Sequence, residues 1–252
     1  MGSKFVPTSL AKSTAYLFPG QGAQSVGMGS QLYDSSLSAK RVFHQVDKAL
    51  ERPLSKLLFS GPEDLLRETV NAQPGIVCVS MACYQTMLAL LTKDTLPKPT
   101  FLAGHSLGEY TALMVGGVLD LEDTVRLVQE RGRLMQEACD VRPGAMAAVL
   151  GLDLTIVEEI SQETGTYVSN VNTADQIVIS GDHVKIAQSI DLALERGAKK
   201  AVPLRVGGAF HSRLMEPALK GLTEAISNLT FKDPTIPIVA NCTGKPLTTA
   251  DE

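Results

Sequence analysis

Short apolar runs and longer stretches of helical spacing alternate along the first 140 residues of the chain. Two four-residue runs, Ala15–Phe18 and residues 100–103, end directly at glycine-rich turns, so both predict strands. Strands that feed helices in this way indicate an α/β fold. Helical spacing predicts helices over residues 40–50, near Leu65 and over 75–91, where Gln73-Pro74 opens the helix. It also predicts a helix from the glycine-rich turn after residue 103 through Val115, and another from Asp120, which caps it, through Ala138.

The middle of the chain carries a different order of elements. Its pattern predicts strand, helix, strand, strand, helix and strand over residues 145–150, 154–164, 167–170, 176–180, 183–196 and 200–205. This βαββαβ order is the signature of a ferredoxin-like subdomain. We therefore expect a large α/β domain over residues 1–142 and 207–252, with the small subdomain inserted at 143–206.

Composition and charge narrow the classes of partner. The chain has 252 residues, of which 44% are hydrophobic, and its 23 Lys and Arg against 27 Asp and Glu give a formal net charge of −4. This mild acidity argues against a nucleic-acid-binding surface. The apolar stretch at 75–91 contains polar residues and is too short for a bilayer span, and residues 1–15 lack the apolar core of a signal peptide, so no membrane partner is expected.

Cysteine usage points to a reducing compartment. The four cysteines form no C-x-x-C pair and stand beside no histidine cluster, so we expect neither a zinc site nor an extracellular disulfide framework. A bacterial cytoplasmic location is the default expectation. An organelle, after removal of a targeting peptide, stays open as the alternative.

The second predicted strand runs into Gly104-His105-Ser106-Leu107-Gly108, which fits the G-x-S-x-G pattern of a nucleophile elbow. The glycines permit a strained strand-to-helix turn that exposes the serine hydroxyl, and the helix N-terminus stabilises negative charge developing beside it. We therefore predict that Ser106 is a nucleophile. The alternative is a serine that merely caps the helix.

A serine nucleophile needs a base, and the chain contains four histidines. His44 and His183 occupy polar helical positions and are interpreted as surface residues. His105 adjoins the nucleophile, but its side chain is expected to point away from Ser106 and to line a pocket. His211 lies in a glycine-rich segment after the last strand of the small subdomain and is the candidate base, with a capping or solvent-exposed histidine as an equal alternative.

Arg131 lies on the apolar stripe of its predicted helix, three positions after Val128 and four before Met135. A buried guanidinium requires an anion. Glu130, Glu137 or another acid of the chain could supply it, or the side chain could extend to solvent, or a substrate carboxylate could be held bidentately. The pattern leaves these alternatives open.

Gly20-Gln21-Gly22 follows the first strand as a nucleotide-binding loop would, but it lacks the Lys and Ser/Thr of that motif. Its backbone could instead offer an N–H that, together with the N–H of Leu107, forms a two-donor oxyanion hole. A plain tight turn fits the spacing equally well.

Five ordered motifs, spread over nearly the whole chain, resemble those of the malonyl-CoA:acyl carrier protein transacylase family of fatty acid synthesis, which is related to the acyltransferase domains of polyketide synthases. The motifs are FPGQGAQ at 18–24, GHSLGEY at 104–110, QERGRLMQ at 129–136, NVN at 170–172 and GAFH at 208–211. The resemblance implies a hydrolase-like, parallel-sheet α/β domain that carries the ferredoxin-like insert.

The resemblance also implies roles for individual positions. At the reacting atoms it implies Ser106 as the acylated nucleophile, His211 as general base and acid, Arg131 as the clamp on the malonyl carboxylate, and Gln21 and Leu107 as the oxyanion-hole amides. In addition to His105, the pocket positions are Met135, Asn172 and Phe210, which the resemblance implies. A bulky Phe210 beside the base favours an unbranched malonyl group over methylmalonyl.

The implied function is a ping-pong transfer of a malonyl group from coenzyme A to the phosphopantetheine thiol of acyl carrier protein, through a malonyl-serine intermediate. Malonyl-CoA is then the substrate and acyl carrier protein the partner, and the implied chemistry needs no metal and no bound cofactor. Carrier proteins of this kind are acidic, so docking on an acidic enzyme requires a local basic patch. Arg196, Lys199 and Lys200 are the candidates, and a solvated helix end is the alternative.

Two rival functions stay open. A serine thioesterase or esterase shares the elbow but transfers the acyl group to water, and a hydrolase of neutral acyl chains gains nothing from a buried Arg131. The family usually continues beyond residue 252 with a backbone carbonyl that orients the histidine, so the resemblance implies that the C-terminal part of the large domain is missing. A non-catalytic module that docks acyl carrier protein is therefore the second rival.

Overall fold

The structure, a computed structural model, describes residues 14–92 and 94–252. Its helices, in chain order, are α1 (Ser30–Ser35), α2 (Leu37–Ala49), α3 (Leu54–Ser60), α4 (Glu63–Arg67), α5 (Thr69–Leu90), α6 (Gly108–Val115), α7 (Leu121–Val141), α8 (Leu154–Thr164), α9 (His183–Glu195) and α10 (Glu216–Ser227). Its strands are β1 (Ala15–Phe18), β2 (Phe101–Gly104), β3 (Ala145–Leu150), β4 (Tyr167–Thr173), β5 (Gln176–Gly181), β6 (Lys200–Pro203), β7 (Ile238–Val239) and β8 (Pro246–Leu247). The chain divides into two compact units.

The first unit contains a sheet of order β1-β2-β7-β8, and its described residues are 14–67, 71–92, 94–129 and 229–252. The β1-β2 and β2-β7 pairs are parallel, whereas β7 and β8 form an antiparallel hairpin. One core of this unit surrounds Phe43, Leu58 and Leu107, and a second packs Leu102 against Ile238. Because parallel strands end at the same edge of a sheet, the segments that follow β1, β2 and β7 meet there.

The second unit contains an antiparallel sheet of order β4-β5-β3-β6 and comprises residues 68–70 and 130–228. Alternate residues of the central strands face opposite sides, as strand geometry requires. Val149 and Ile177 pack with the apolar residues of α8 and α9, while Ala148 and Val178 pack with Met135 of α7 and its neighbours. Both faces of the central strands are therefore buried.

The α/β class expected from the sequence is confirmed. All six elements predicted for the middle of the chain are present, and β3 and α8 have the predicted bounds. Strand β4 continues three residues beyond the predicted end, and β6 ends at Pro203 instead of residue 205, because its pairing with β3 stops there. The pattern does not predict α10, β7 or β8, and two-residue strands are too short for alternation to be recognised.

The predicted start of α5 is wrong. The helix begins at Thr69, so Pro74 lies inside it instead of in its first turn. Side-chain hydrogen bonds hold the start of the helix: the Asn71 amide donates to the Leu65 carbonyl oxygen at 2.8 Å and accepts from Arg52 at 2.6 Å. The buried residues of α5 end at Ala82, and Leu90 is 77% exposed.

The boundary between the two units falls within α7, after Gln129, and α10 groups with the second unit. The domain bounds at 143 and 206 stay a prediction. Among the described residues, no helix combines the length and apolar character that a membrane crossing requires.

Candidate active site

The predicted elbow in the first unit is a tight turn between β2 and α6. The strand ends at Gly104, the helix begins at Gly108, and Ser106 between them has a left-handed φ of 49°. A Cβ built on Gly104 would lie 1.9 Å from the Gly108 carbonyl carbon, and one on Gly108 would lie 2.2 Å from the Phe18 carbonyl oxygen. Both glycines of the motif are therefore required because backbone segments occupy the space of a side chain.

A residue that the sequence analysis missed holds the elbow. Asn241, two residues beyond β7, accepts a hydrogen bond from the Ser106 backbone N–H at 2.6 Å and donates one to the Gly104 carbonyl oxygen at 2.7 Å. Its own backbone N–H donates to Glu109 Oε1 at 3.0 Å. Since the pattern predicts no strand before Asn241, the sequence offered no signal for it.

The turn after β1 packs against the same elbow. The His105 backbone N–H donates to the Phe18 carbonyl oxygen at 3.0 Å, which continues the pairing of the two strands into their turns. A Cβ on Gly20 would lie 2.4 Å from the His105 carbonyl oxygen, so Gly20 is also required by close approach. Gln21 follows at once, which brings the predicted second oxyanion residue into the turn beside the elbow.

The hydrogen bond that Asn241 accepts from Ser106 also bears on which backbone N–H groups could stabilise an oxyanion. The Ser106 N–H is already directed at the Asn241 side chain. Leu107, the next residue, begins α6 as its N-cap, and its side chain is fully buried in the core. A helix start is where backbone N–H groups lack intrahelical acceptors, so the sequence-predicted choice of Leu107 suits the local geometry.

His211 lies in the second unit and also has a left-handed backbone, with φ 56°. Its loop is anchored on one side by Phe210, which is 5% exposed and buried with Met135 and Cys139. On the other side, the Ser212 hydroxyl donates to the Ala209 carbonyl oxygen at 2.6 Å. Two residues before Phe210, a Cβ on Gly208 would lie 2.1 Å from Cys139 Sγ.

A cavity of about 740 Å³ within the second unit has His211 in its wall. The start of β4 and the segment leading into α10 line it together, with Tyr167 and Met215 among the lining side chains. His211 itself is exposed. The imidazole is therefore accessible, as a group that exchanges protons with a substrate must be.

Arg131 is buried, at 8% exposure, so its side chain does not extend into solvent as one of the sequence alternatives supposed. Glu130 and Glu137, two acids considered as its partners, both form ion pairs with the exposed Arg133. The contacts with Arg133 lower the pKa of the Glu130 carboxyl. Arg131 is thus buried, whereas Arg133, two positions later, is exposed and paired with two carboxylates.

The remaining predicted site residues differ in burial. Met135 belongs to the same buried cluster as Phe210, whereas Asn172 is exposed on β4 and its side-chain amide donates to Gln176 Oε1 at 3.4 Å. His105 is exposed. Their predicted roles in lining a pocket stay predictions.

The three cations predicted for docking are not equivalent. Arg196 forms ion pairs with Glu159 at 3.2 Å and Glu163 at 2.5 Å, so two carboxylates of α8 compensate its charge. Lys199 and Lys200 are exposed. These two lysines are therefore the stronger candidates for an acidic partner.

Comparison with known proteins shows the family to which the chain belongs. The family model described as the acyl transferase domain matches residues 15–251. The chain belongs to the acyl transferase domain family. This acyl transferase domain is 42% identical over 239 residues to the malonyl CoA-acyl carrier protein transacylase of Bacillus subtilis, covering 93% of this chain and 74% of the relative.

Solved structures agree with this acyl transferase domain closely. The acyl-carrier-protein S-malonyltransferase of Bartonella henselae superposes with a TM-score of 0.89 at 41% identity, covering 95% of this chain and 77% of that one. A malonyl-transacylase solved in complex with a type II polyketide synthase acyl-carrier protein superposes with a TM-score of 0.88 at 34% identity, with the same coverage.

Proposed function

We propose that this chain transfers a malonyl group from coenzyme A to acyl carrier protein and carries it in between on Ser106. One observation carries the assignment of the catalytic pair. Among the described residues, three non-glycine residues have a left-handed φ, and two of them are Ser106 and His211. Such backbone costs about 1–3 kcal/mol and is retained mainly where function needs it. In an acyl transferase domain, this coincidence favours these two residues as nucleophile and base.

The finer description of the fold belongs to the same proposal. We assign the second unit to the ferredoxin-like class, supported by the order β3-α8-β4-β5-α9-β6 and the antiparallel sheet β4-β5-β3-β6. We assign the first unit to the hydrolase-like class, supported by a nucleophile elbow that follows a parallel strand.

In the first half-reaction, His211 takes the proton from Ser106 Oγ as the oxygen attacks the thioester carbonyl carbon of malonyl-CoA. The carbonyl electron pair moves onto oxygen, and the backbone N–H groups of Gln21 and Leu107 stabilise that oxyanion. When the tetrahedral intermediate collapses, the carbon–sulfur bond breaks. His211 returns the proton to the departing coenzyme A thiolate, which leaves malonyl-Ser106.

The second half-reaction reverses these steps with a new thiol. The phosphopantetheine thiol of acyl carrier protein gives its proton to His211 and attacks the malonyl ester carbonyl. Collapse of the second tetrahedral intermediate breaks the bond to Ser106 Oγ, which recovers the proton from His211. One thioester replaces another, so the transfer is nearly balanced in free energy and no redox change occurs.

The malonyl carboxylate gives Arg131 its role in the proposal. A buried guanidinium that binds a carboxylate bidentately provides both charge and direction. Truncating one partner of such a buried pair costs about 2–5 kcal/mol, which corresponds to at least a 30-fold loss. Arg131→Ala is therefore expected to lower the rate of malonyl transfer at least about 30-fold relative to acetyl transfer, as measured by adduct formation with each coenzyme A thioester.

Arg133→Ala is the matched control for this specificity test. Arg133 stands two positions away on the same helix, but its side chain is exposed and pairs with Glu130 and Glu137. Its removal should leave the malonyl-to-acetyl ratio unchanged. An unchanged ratio in Arg131→Ala as well would show that Arg131 does not bind the carboxylate.

Acyl carrier protein is the proposed partner, and Lys199 and Lys200 are the proposed contacts for its acidic surface. Two adjacent exposed lysines supply the local positive charge that an acidic chain needs for this encounter. Because such contacts are screened by salt, binding should weaken as ionic strength rises. A cytoplasmic location stays a prediction.

Intact mass spectrometry after brief incubation with malonyl-CoA tests the proposal. The expected result is a malonyl adduct that is absent in Ser106→Ala, forms about 10²–10⁴-fold more slowly in His211→Ala, and passes to added holo acyl carrier protein. Free malonate without a transferable adduct would support the thioesterase. A folded chain that binds the carrier protein but gives neither adduct nor malonate would support the docking module.

A further inference from the structure

We propose that Asn241 is a positioning residue for the nucleophile, which it holds by bridging the two sides of the elbow. The inference rests on the proposed role of Ser106. Its basis is a pair of hydrogen bonds from one side-chain amide: Oδ1 accepts from the Ser106 N–H at 2.6 Å, and Nδ2 donates to the Gly104 carbonyl oxygen at 2.7 Å.

These two bonds extend the sheet beyond its last backbone pair. Strand β2 pairs in parallel with β7 through Ala103 and Val239, which form the last residue pair between these two strands. Past this point, the Gly104 carbonyl and the Ser106 N–H face the side chain of Asn241 instead of another strand. A planar amide presents one donor and one acceptor side by side, so it substitutes for the missing strand.

The bridge acts at the strained residue. Ser106 has φ 49°, which is unfavourable for a residue with a Cβ and has to be imposed by its surroundings. The motif glycines make room for the turn, but they do not fix the angle at Ser106. Asn241 holds the peptide planes on both sides of His105, because it donates to the Gly104 carbonyl oxygen of the first and accepts from the Ser106 N–H of the second, about which the φ of Ser106 turns.

Asn241 is itself held in place. Its backbone N–H donates to Glu109 Oε1 at 3.0 Å, which ties it to the first turn of α6. The turn that contains it is closed by hydrogen bonds from the Ala240 N–H to the Lys245 carbonyl oxygen and from the Gly244 N–H to the Ala240 carbonyl oxygen. The side chain therefore projects from a closed hairpin turn onto the elbow.

The bridge also determines which amide can serve the oxyanion. Because the Ser106 N–H donates to Asn241, the negative charge that develops on the substrate oxygen is stabilised by the N–H groups of Leu107 and Gln21. Loss of the bridge would let the left-handed φ of Ser106 relax. It would also release the Ser106 N–H, which would compete with Leu107 and Gln21 as a donor to the oxyanion. Positioning by Asn241 thus acts on the rate of acyl transfer and not on the affinity for the thioester.

Two substitutions test this inference. Asn241→Leu keeps the branched shape and removes both bonds, whereas Asn241→Asp keeps the acceptor for Ser106 N–H and loses the donor. Lys245→Gln, which changes an exposed side chain in the same turn, is the control. Acylation of Ser106 is followed by rapid-quench mass spectrometry over a range of malonyl-CoA concentrations, so that maximal rate and half-saturating concentration are obtained separately.

We expect the maximal rate to fall about 10- to 100-fold in Asn241→Leu, with a smaller loss in Asn241→Asp and none in Lys245→Gln. The half-saturating concentration should stay within about twofold. A merely structural residue would alter the amount of folded protein and leave the rate of the folded fraction unchanged. An unchanged rate of the folded fraction overturns the inference. A rise of about 10- to 100-fold in the half-saturating concentration, without a change in the maximal rate, also overturns it.

Labelling by a fluorophosphonate separates this inference from the proposed function. A chain that labels at Ser106 but is never malonylated overturns the proposed function, and the positioning role is then decided by whether Asn241→Leu slows labelling. Equal labelling of Asn241→Leu and the unaltered chain overturns the positioning role. Failure of the unaltered chain to react with either reagent overturns both.

Discussion

The elbow around Ser106 and the loop around His211 each hold a non-glycine residue at a left-handed φ, and each contains a glycine at which a side chain has no room. The obstacle differs. At Gly104 it is the backbone of Gly108, 1.9 Å from a built Cβ, whereas at Gly208 it is the Sγ atom of Cys139, at 2.1 Å. The first segment is crowded by its own neighbours in sequence and the second by a side chain of α7.

This difference determines how each segment can respond to change. Backbone that is part of a strand and a helix cannot move without breaking their hydrogen bonds, while a single side chain can change rotamer or be replaced. The steric requirement at Gly104 is therefore contained within five consecutive residues. The histidine loop depends on what another part of the chain places beneath it.

Gly104→Ala should have the largest effect of the substitutions that probe this comparison. The new methyl group meets the backbone of Gly108, so β2 and α6 have to separate, and we expect a loss of at least about 3 kcal/mol in unfolding free energy. Thermal and urea unfolding measure it. Gly197→Ala is the control, because it has a positive φ of 93° but nothing within 4 Å of its Cβ, and it should cost only about 1 kcal/mol. Equal losses in the two variants would contradict the steric account.

Gly208→Ala should destabilise less, by about 1–3 kcal/mol, because the obstacle is one sulfur atom. Combining it with Cys139→Ala should recover most of that loss, since the second substitution removes the atom that the methyl group meets. A double-mutant cycle of unfolding free energies measures the recovery. Additive losses in the cycle would mean that the loop is crowded by something other than Cys139.

The same comparison explains what the sequence could predict. The elbow was found from Gly104-His105-Ser106-Leu107-Gly108 because its steric requirement is local and leaves a local motif. The six elements from β3 to β6 were found for a related reason: their alternating and helical patterns lie in segments of 4 to 13 residues, such as β6 and α9.

What escaped prediction depends on contacts distant in sequence. Asn241 is 135 residues from Ser106 and follows a strand of two residues, so neither periodicity nor motif marks it. The residues alone also left His211 no more probable as a base than as a capping or solvent-exposed histidine, since its left-handed φ arises in a loop packed on α7. The start of α5 was missed because the Asn71 side chain, and not the position of Pro74, holds that turn.

The smallest expected effect concerns Cys139, the sulfur that crowds the histidine loop. Burial, with a further contribution from Asp140, raises the pKa of the Cys139 thiol to about 11. At pH 8 only roughly one such thiol in a thousand is ionised, so iodoacetamide should alkylate Cys139 at least about 100-fold more slowly than the exposed Cys242. Peptide mapping after timed alkylation measures both rates.

The raised pKa also gives stability a pH dependence with a definite sign. The thiol of the unfolded chain, with an ordinary pKa of 9.0, loses its proton before the folded one does as pH rises. The stabilising contribution of Cys139 is therefore present below about pH 9 and is lost as the pH approaches 11. The unfolding midpoint of the unaltered chain should fall more steeply over this interval than that of Cys139→Ala. Parallel curves would show that the thiol beneath the loop titrates as freely as an exposed one, and the packing contrast with the elbow would then fail.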